Sequence, residues 1–375
     1  MTAEIQIPKE HRAVVYDKPG QVSTAVVTVP TPTPGVGEVL IRLTHSGVCS
    51  SDHGIMTQQW SHLPPTPQNQ IGGHEGVGEI ISFGPSTSSS GNLKIGSRVG
   101  IKWLASVCDS GSCIACLSGR DAQCPGQKIS GFYYPGTFQQ YAVAPASYVT
   151  PIPDGVASEM AAPLLCGGVT VYAALKKTGA QPGDAVVISG AGGGLGHLAV
   201  QIASRGMGFR VIALDTGNKE SFTKSLGAES FFDITKYPRS DPESATKLAT
   251  DVKKATPRGM GAASVVVCTG ADAAYAQALD FLAFGGSLVC VGIPEGAGPV
   301  PIAGALPGAM IARELRILGS AVGNRKDAIE TMDMAARGVI KTHFTVEPMS
   351  RLTEVFEKME RMELQGRVVL DLSRE

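Results

Sequence analysis

The stretch Gly190-Ala191-Gly192-Gly193-Gly194-Leu195-Gly196 decides the fold of the C-terminal half of the chain. It follows the apolar run 185–189 and precedes apolar residues spaced at i, i+3, i+4, i+7 and i+8 from residue 195. This pattern predicts a strand, a glycine turn and a helix that ends at Gly206. In such a turn, backbone N–H groups face an anion, and the missing Cβ atoms let it approach closely.

An acidic residue stands where a dinucleotide site needs one. The run 211–215 predicts the next strand, and Asp215 ends it nineteen residues after Gly196. A carboxylate at this place accepts hydrogen bonds from an adenosine ribose and repels a 2′-phosphate. The glycine loop and Asp215 therefore predict a site for NAD rather than NADP. The alternative is a tight turn and a strand-end carboxylate that bind no ligand.

The two halves of the chain have different patterns. After residue 170, apolar runs alternate with amphipathic stretches, which predicts further strands at 230–232, 263–268, 287–291 and 315–318 in a doubly wound parallel sheet. From residue 12 to 150, short apolar runs are broken by Pro and Gly, which predicts an irregular, mainly antiparallel β domain. The chain is therefore expected to be an α/β protein of two domains. The stretch 321–375 could pack on either domain.

Length and charge exclude several classes of protein. The 375 residues exceed what one core usually holds. The net charge of −1 lacks the basic excess of a protein that binds nucleic acid or a membrane surface. No apolar run approaches the ~20 residues of a membrane helix, and residues 1–12 are polar, without a signal segment. We expect a soluble, cytoplasmic protein without nucleic-acid or membrane partners.

Four of the eight cysteines are clustered in the order Cys108-x4-Cys113-x2-Cys116-x7-Cys124. Four thiolates around Zn²⁺ would close a tetrahedron and form a structural site. Two alternatives remain open: free surface thiols in a loop, or a redox pair at Cys113 and Cys116, which lacks the usual flanking βαβ pattern.

A second set of possible metal ligands is scattered over three segments. Cys49, His74 and Cys166 lie beside glycines at distant positions in the chain. Two thiolates and an imidazole could bind a metal with a fourth position open to a substrate. Taken alone, Cys166 could be a core residue and His74 a hydrogen-bonded turn residue. Their spacing cannot unite them.

The order of these three segments, the four-cysteine loop and the glycine turn resembles that of the zinc-dependent medium-chain alcohol dehydrogenases. The resemblance covers essentially the whole chain, and residues 101–104, 136–141 and 322–325 resemble the fungal tetrameric type. It implies a GroES-like β-rich catalytic domain at 1–168 and 319–375, and a Rossmann domain for NAD at 169–318. It also implies a homotetramer that transfers a hydride between an alcohol, or its aldehyde or ketone, and NAD.

The resemblance implies two zinc ions per chain and a role for each matching residue. Ser51 would take the substrate proton, Asp52 would fix the tautomer of His74, and Glu75 would lie behind the metal. The zinc ligands would be Cys49, His74 and Cys166 at the catalytic site, and Cys108, Cys113, Cys116 and Cys124 at the structural site. Trp60 and Trp103 would line the alcohol pocket. The cofactor-binding residues would be Gly190, Gly193, Gly194, Leu195, Gly196, Asp215, Lys219 and Arg367.

This sequence departs from the family pattern at three places. Ser50 replaces a basic residue that contacts the pyrophosphate. Gly54 replaces the histidine that carries the proton outwards, so we expect water in the vacated space and His53 to point elsewhere. Cys108 and Cys113 are separated by four residues instead of two, which could cost the structural zinc.

Two other functions remain open at this point. One is a carbonyl reductase of the same fold that acts on a larger substrate, because the segment 56–69, with its proline run 64–67, differs from a simple ethanol pocket. The other is a nucleotide-binding protein without chemistry. The intact set Cys49, His74 and Cys166 argues against the latter, since a protein without chemistry need not keep three metal ligands.

Overall fold

The computed structural model describes residues 6–374, apart from 61–62, 88–92, 109, 239–240, 295–300 and 303. The chain forms two compact units. The first comprises Met1–Cys166, Gly323–Ala336 and Thr342–Glu375, and the second comprises Gly167–Val322 and Arg337–Lys341. Among the described residues, no single helix is long and apolar enough to cross a membrane.

The regular elements alternate along the chain. The strands are β1 (Glu10–Tyr16), β2 (Ala25–Pro30), β3 (Glu38–Val48), β4 (Gln70–Ile71), β5 (Gly76–Phe83), β6 (Arg98–Ile101), β7 (Leu104–Ser106), β8 (Lys128–Ile129), β9 (Tyr141–Pro145), β10 (Thr150–Pro151), β11 (Ala185–Ser189), β12 (Arg210–Asp215), β13 (Ala228–Asp233), β14 (Ala262–Val267), β15 (Leu282–Cys290), β16 (Arg316–Gly319), β17 (Phe344–Pro348) and β18 (Arg367–Asp371). The helices are α1 (Ser50–Met56), α2 (Ile114–Leu117), α3 (Ser158–Ala161), α4 (Gly167–Lys177), α5 (Gly196–Gln201), α6 (Glu220–Leu226), α7 (Pro242–Lys254), α8 (Asp272–Ala278), α9 (Pro307–Arg313), α10 (Arg325–Ala336) and α11 (Leu352–Glu360).

The first unit is built mainly from antiparallel strands, as its short apolar runs predict. Its largest sheet has the order β10-β6-β5-β3-β18-β17, with β9 also paired to β3. The last strand, β18, runs antiparallel to β3 with Val368 opposite Val48. The C-terminal strand therefore packs on the first unit. The sequence had left open on which domain this strand packs. This pairing brings Arg367 close to Cys49, the residue that follows β3.

The second unit contains the predicted parallel sheet. Its order is β13-β12-β11-β14-β15-β16, and all five strand pairs are parallel. Counted from β11, this is the order 3-2-1-4-5-6 of a doubly wound dinucleotide-binding sheet. The glycine turn follows β11, the first strand, at the point where the strand order reverses. The predicted strands after residue 210 are all confirmed, with ends that differ by a few residues.

Two short segments lie in a different unit from the one we expected. Residues 319–375 were expected in the first domain, but 319–322 and 337–341 belong to the second unit. The side-chain amide of Gln201, in α5, donates to the Lys341 carbonyl at 2.9 Å and accepts from the Lys341 N–H at 3.0 Å. The backbone of Lys341 thus pairs with both the NH₂ group and the oxygen of the buried Gln201 amide, and this pairing holds that segment against the second unit.

Candidate metal centres and cofactor loop

Cys49, His74, Glu75 and Cys166 converge in the first unit. Each offers a ligand atom, and these four atoms lie within 4.8 Å of one another. Cys49 comes directly after β3, His74 and Glu75 come directly before β5, and Cys166 follows a 3₁₀ turn at the end of the first segment of this unit. All four side chains are buried. The fold thus brings together the three segments that sequence spacing could not unite.

Asp52 orients the imidazole of this cluster. Its Oδ1 lies 2.8 Å from His74 Nδ1, and its Oδ2 accepts from the backbone N–H of Cys49 at 2.9 Å. In the neutral imidazole that can bind a metal, Nδ1–H donates to this carboxylate and the lone pair is on Nε2. Among the described residues, His74 Nε2 has no hydrogen-bond partner although it is fully buried. An unpaired imidazole lone pair beside two thiols is the donor set that zinc requires.

The two buried thiols have opposite acidity. A hydrogen bond from Cys166, supported by the charge of Arg367, holds the pKa of Cys49 well below its usual value. The same hydrogen bond, together with burial, raises the pKa of Cys166 well above its usual value. Each thiol therefore affects the ionisation of the other, and in the absence of a metal ion Cys49 loses its proton more readily than Cys166. A divalent metal between the sulfurs would allow both thiols to ionise.

Arg367 lies directly beside this cluster in the first unit. Its guanidinium is buried, forms an ion pair with Glu75, and places Nη1 4.0 Å from Cys49 Sγ. Burial raises the pKa of Glu75 to about 7, although the charge of Arg367 acts in the opposite direction. A buried charge needs such a partner, since an unpaired one costs several kcal/mol. The resemblance implied a pyrophosphate contact for Arg367, and that role remains a prediction.

Two tryptophans form an aromatic wall beside His74. The ring of Trp103 packs edge-to-face on the imidazole with centroids 4.8 Å apart, and Trp60 packs on Trp103 at 6.2 Å. The position of a Cβ on Gly54, in α1, lies 3.4 Å from the Trp60 ring. The indole therefore lies against the space in which we expected water. Ser51, three residues earlier in the same helix, is half-buried.

The four-cysteine loop also forms a single cluster. The sulfurs of its members lie within 4.8 Å of one another, despite the longer first spacing. The backbone N–H of Cys108 donates to Cys124 Sγ at 3.3 Å, and Gly126 is required because a Cβ there would lie 2.7 Å from the Cys108 Cβ. Hydrogen bonds from Ser110 lower the pKa of Cys108 to about 6. Convergence of all four sulfurs favours a metal site over an isolated redox pair.

The glycine turn lies in the second unit and fits a bound phosphate group. Gly190 has a positive φ of +75°, which favours glycine. A Cβ on Gly196 would lie 2.0 Å from the Gly190 carbonyl oxygen, so only glycine allows the helix to pack this closely on the strand. The Asp215 carboxylate accepts from the N–H groups of Gly192 at 2.8 Å and Thr216 at 2.7 Å. The Lys219 side chain passes beside Gly192.

Comparisons with known proteins identify the family of this chain. Residues 35–154 match the alcohol dehydrogenase GroES-like domain, and residues 194–337 match the zinc-binding dehydrogenase family. The chain is 59% identical to alcohol dehydrogenase 2 of Emericella nidulans over 369 residues, which cover 98% of this chain and 99% of that protein. It belongs to the zinc-dependent medium-chain alcohol dehydrogenases.

Other proteins are similar to this chain along nearly their whole length. The alcohol dehydrogenase of Schizosaccharomyces pombe is 39% identical, with coverage of 98% of this chain and 99% of that one. Among solved structures, AibC superimposes with a TM-score of 0.83 at 30% identity, covering 97% and 96% of the two chains. Acetophenone reductase from Geotrichum candidum, solved in complex with NAD, gives a TM-score of 0.80 at 28% identity, with 98% of each chain covered.

Sequence reasoning missed two features of these sites. The contact between Gly54 and Trp60 was not anticipated, although a glycine six residues before a tryptophan allows a ring to fold back on a helix. The second is His197, which is fully buried directly after the glycine turn. The place of His197 in the sequence, one residue after Gly196, could have marked it as a candidate functional residue.

Proposed function

We propose that this alcohol dehydrogenase oxidises an alcohol to its aldehyde or ketone and transfers the hydride to NAD. The observation that carries the proposal is the convergence of Cys49, His74 and Cys166, with the unpaired Nε2 of His74 among the sulfurs. A zinc ion held there would act as a Lewis acid on the substrate oxygen and make an alcohol proton easier to remove. The remaining steps depend on side chains of this chain.

Each residue of the first unit has a separate task in this proposal. Asp52 keeps His74 in the tautomer that can bind metal, and the Ser51 hydroxyl relays the proton of the alcohol, releasing its own proton as it takes this one. The partly buried rings of Trp60 and Trp103, which pack against the apolar core of this unit, exclude water and contact the substrate. Glu75, paired with Arg367, would lie behind a bound metal ion. The four sulfurs of Cys108, Cys113, Cys116 and Cys124 would hold a structural zinc with no open position.

The second unit is proposed to bind NAD through its glycine loop. The close packing at Gly190 and Gly196 supports an approach of the pyrophosphate to the backbone. Asp215 would accept the hydroxyls of the adenosine ribose and repel a 2′-phosphate. Lys219 lies beside the same loop. The proposed cofactor residues of this unit are Gly190, Gly193, Gly194, Leu195, Gly196, Asp215 and Lys219.

A cavity favours a second candidate, a carbonyl reductase that acts on a larger substrate. It has a volume of about 190 Å³ and is lined by Ile55 of α1, by residues of the proline run, and by the apolar side chains of Trp60, Leu63 and Phe132. A cavity of about 150 Å³ is sufficient to hold benzene. The cavity therefore has room for an aryl or branched substituent beside Trp60, whereas ethanol is too small to fill it.

A substrate panel separates these functions. NADH formation is measured by absorbance with ethanol, longer alcohols and aryl alcohols, and NADH consumption with the matching aldehydes and ketones. Turnover that is lost on zinc chelation supports the dehydrogenase. A kcat/KM at least tenfold higher for aryl ketones than for small aldehydes favours the reductase. No turnover with any member of the panel, by protein that contains zinc, would contradict both.

We also propose that the enzyme is a cytoplasmic homotetramer. The described residues include an edge strand, β16, that has only β15 as its neighbour. Large apolar side chains are exposed in the same unit, namely Phe284, Leu306 and Ile311. A free strand edge with apolar residues nearby is commonly covered by another chain. Light scattering that returned the mass of a single chain would contradict this proposal.

A further inference from the structure

His197 makes two hydrogen bonds to one carbonyl group of the glycine loop. The residue lies in α5, directly after Gly196, and is fully buried. Its Nδ1 lies 3.0 Å from the carbonyl oxygen of Gly193, and its own backbone N–H donates to the same oxygen at 3.1 Å. Because a carbonyl can only accept, Nδ1 must carry the proton. Both lone pairs of the Gly193 carbonyl are then used by one residue.

The surroundings hold the imidazole and its helix in place. The ring stacks on Phe222 of α6, with centroids 6.2 Å apart and an angle of 25° between the planes. One turn later, the Gln201 amide donates to the His197 carbonyl at 2.9 Å and also to the Lys341 carbonyl. The side chains of His197 and Gln201 are buried, so these contacts are shielded from water. The helix that follows the loop is thereby fixed on two sides.

The orientation of one carbonyl decides the orientation of the next N–H. The C=O of Gly193 and the N–H of Gly194 belong to one planar trans peptide and point in opposite directions. With the carbonyl directed into the helix, this N–H points away from it. Within the part of the chain that the structure describes, the N–H groups of Gly194 and Leu195 have no acceptor. They are therefore available to an anion in front of the loop.

We propose that His197 is a positioning residue for the dinucleotide, holding the Gly193–Gly194 peptide in the orientation that binds the pyrophosphate. The inference rests on the proposed function, because it requires NAD at this loop. Residues 192–194 are three consecutive glycines and have no side chains to restrict their peptide planes. Without the imidazole, the loop would sample other orientations before NAD binds. The cost would appear in cofactor affinity and not in the chemical step.

The test compares variants that keep or remove the donor in the zinc-loaded enzyme. His197→Leu and His197→Met cannot donate, whereas the amide of His197→Asn can reach the same carbonyl. NADH dissociation constants are measured by fluorescence titration, and the KM for NAD and the kcat by steady-state kinetics. We expect Leu and Met to raise the dissociation constant and the KM by about tenfold, the effect of one lost hydrogen bond, with kcat changed less than about threefold. Asn should restore most of the affinity.

Thermal unfolding of each variant separates this role from a general loss of packing. If His197→Leu does not fold, His197→Met carries the comparison. Unchanged NADH affinity in a folded variant without the donor overturns the inference, and so does an Asn variant as weak as the Leu variant. Failure of the unaltered enzyme to bind NADH would instead contradict the proposed function.

Discussion

At the scale of single residues, neighbouring positions of α1 face different surroundings. His53 Nε2 lies 3.0 Å from the Glu360 carboxylate on α11, so this imidazole is directed away from the metal cluster, as expected. Gly54 faces the indole of Trp60 instead of open space. A histidine at position 54 would have to displace that ring. Gly54→His is therefore not expected to speed turnover.

Ser51 is the residue that we expect to move the substrate proton. Replacing Ser51 with Ala should lower kcat by ~10²–10⁴-fold, the usual contribution of a positioned acid–base group. Steady-state kinetics with an alcohol measure this effect, and metal analysis should find the zinc content unchanged. The control is His53→Gln, whose amide can still reach Glu360, and its kcat should stay close to that of the unaltered enzyme. A hundredfold loss in the control would assign the proton path to His53.

Asp215 is expected to set the cofactor preference. Its carboxylate is held by the backbone N–H groups of Gly192 and Thr216, so the negative charge has a fixed place beside the loop. Asp215→Ser should raise the kcat/KM for NADP relative to NAD by removing the repulsion of a 2′-phosphate. Binding of NAD should weaken, because a ribose contact is lost. Equal kcat/KM for both cofactors in the unaltered enzyme would contradict the role of Asp215.

At the scale of elements, the sequence pattern predicted the structures that form from residues adjacent in the chain. The strand β11, the glycine turn and the helix after it were predicted. The helical segment ends at Gly206, as expected, but its last residues, Ile202–Gly206, form a π-helix that was not predicted. The convergence of Cys49, His74 and Cys166 could not be derived from spacing, because three separate segments meet only through tertiary packing. The resemblance to a family supplied what spacing could not. The return of 337–341 to the second unit depends on Gln201, and neither approach anticipated it.

The four-cysteine loop should hold a zinc ion that stabilises the first unit. Cys116→Ser should remove one of two zinc ions per chain and lower the midpoint of thermal unfolding strongly, since structural zinc contributes on the order of 10 kcal/mol to folding. Elemental analysis and calorimetry measure the two effects. Cys290→Ser is the matched control, because Cys290 lies outside both cysteine clusters. One zinc ion in the unaltered enzyme would show that the longer Cys108–Cys113 spacing has cost the site.

At the scale of the whole molecule, a buried lysine connects parts of the first unit. The ammonium of Lys102 donates to the Tyr148 carbonyl at 2.7 Å and lies 3.6 Å from the centre of the Tyr148 ring. The Tyr148 hydroxyl donates to Asp121, in the four-cysteine loop, and the Arg325 N–H donates to the same carboxylate oxygen. Burial lowers the pKa of Lys102 to about 7, although Asp121 acts in the opposite direction.

This burial should make the stability of the enzyme depend on pH. An unfolded lysine has a pKa near 10.4, so between pH 7 and pH 10 the unfolded chain holds a proton that folded Lys102 has released. The free energy of unfolding should therefore rise over this range, by at most about 1.4 kcal/mol per pH unit from this group. Below pH 7 both states are protonated, and the contribution becomes constant.

Urea unfolding of the zinc-loaded enzyme from pH 6 to 9, compared with Lys102→Met, isolates this slope. The difference between the two curves should change with pH, whereas the exposed control Lys18→Met should run parallel to the unaltered enzyme. Parallel curves for Lys102→Met would show that Lys102 keeps its proton when buried, held by Tyr148 and Asp121.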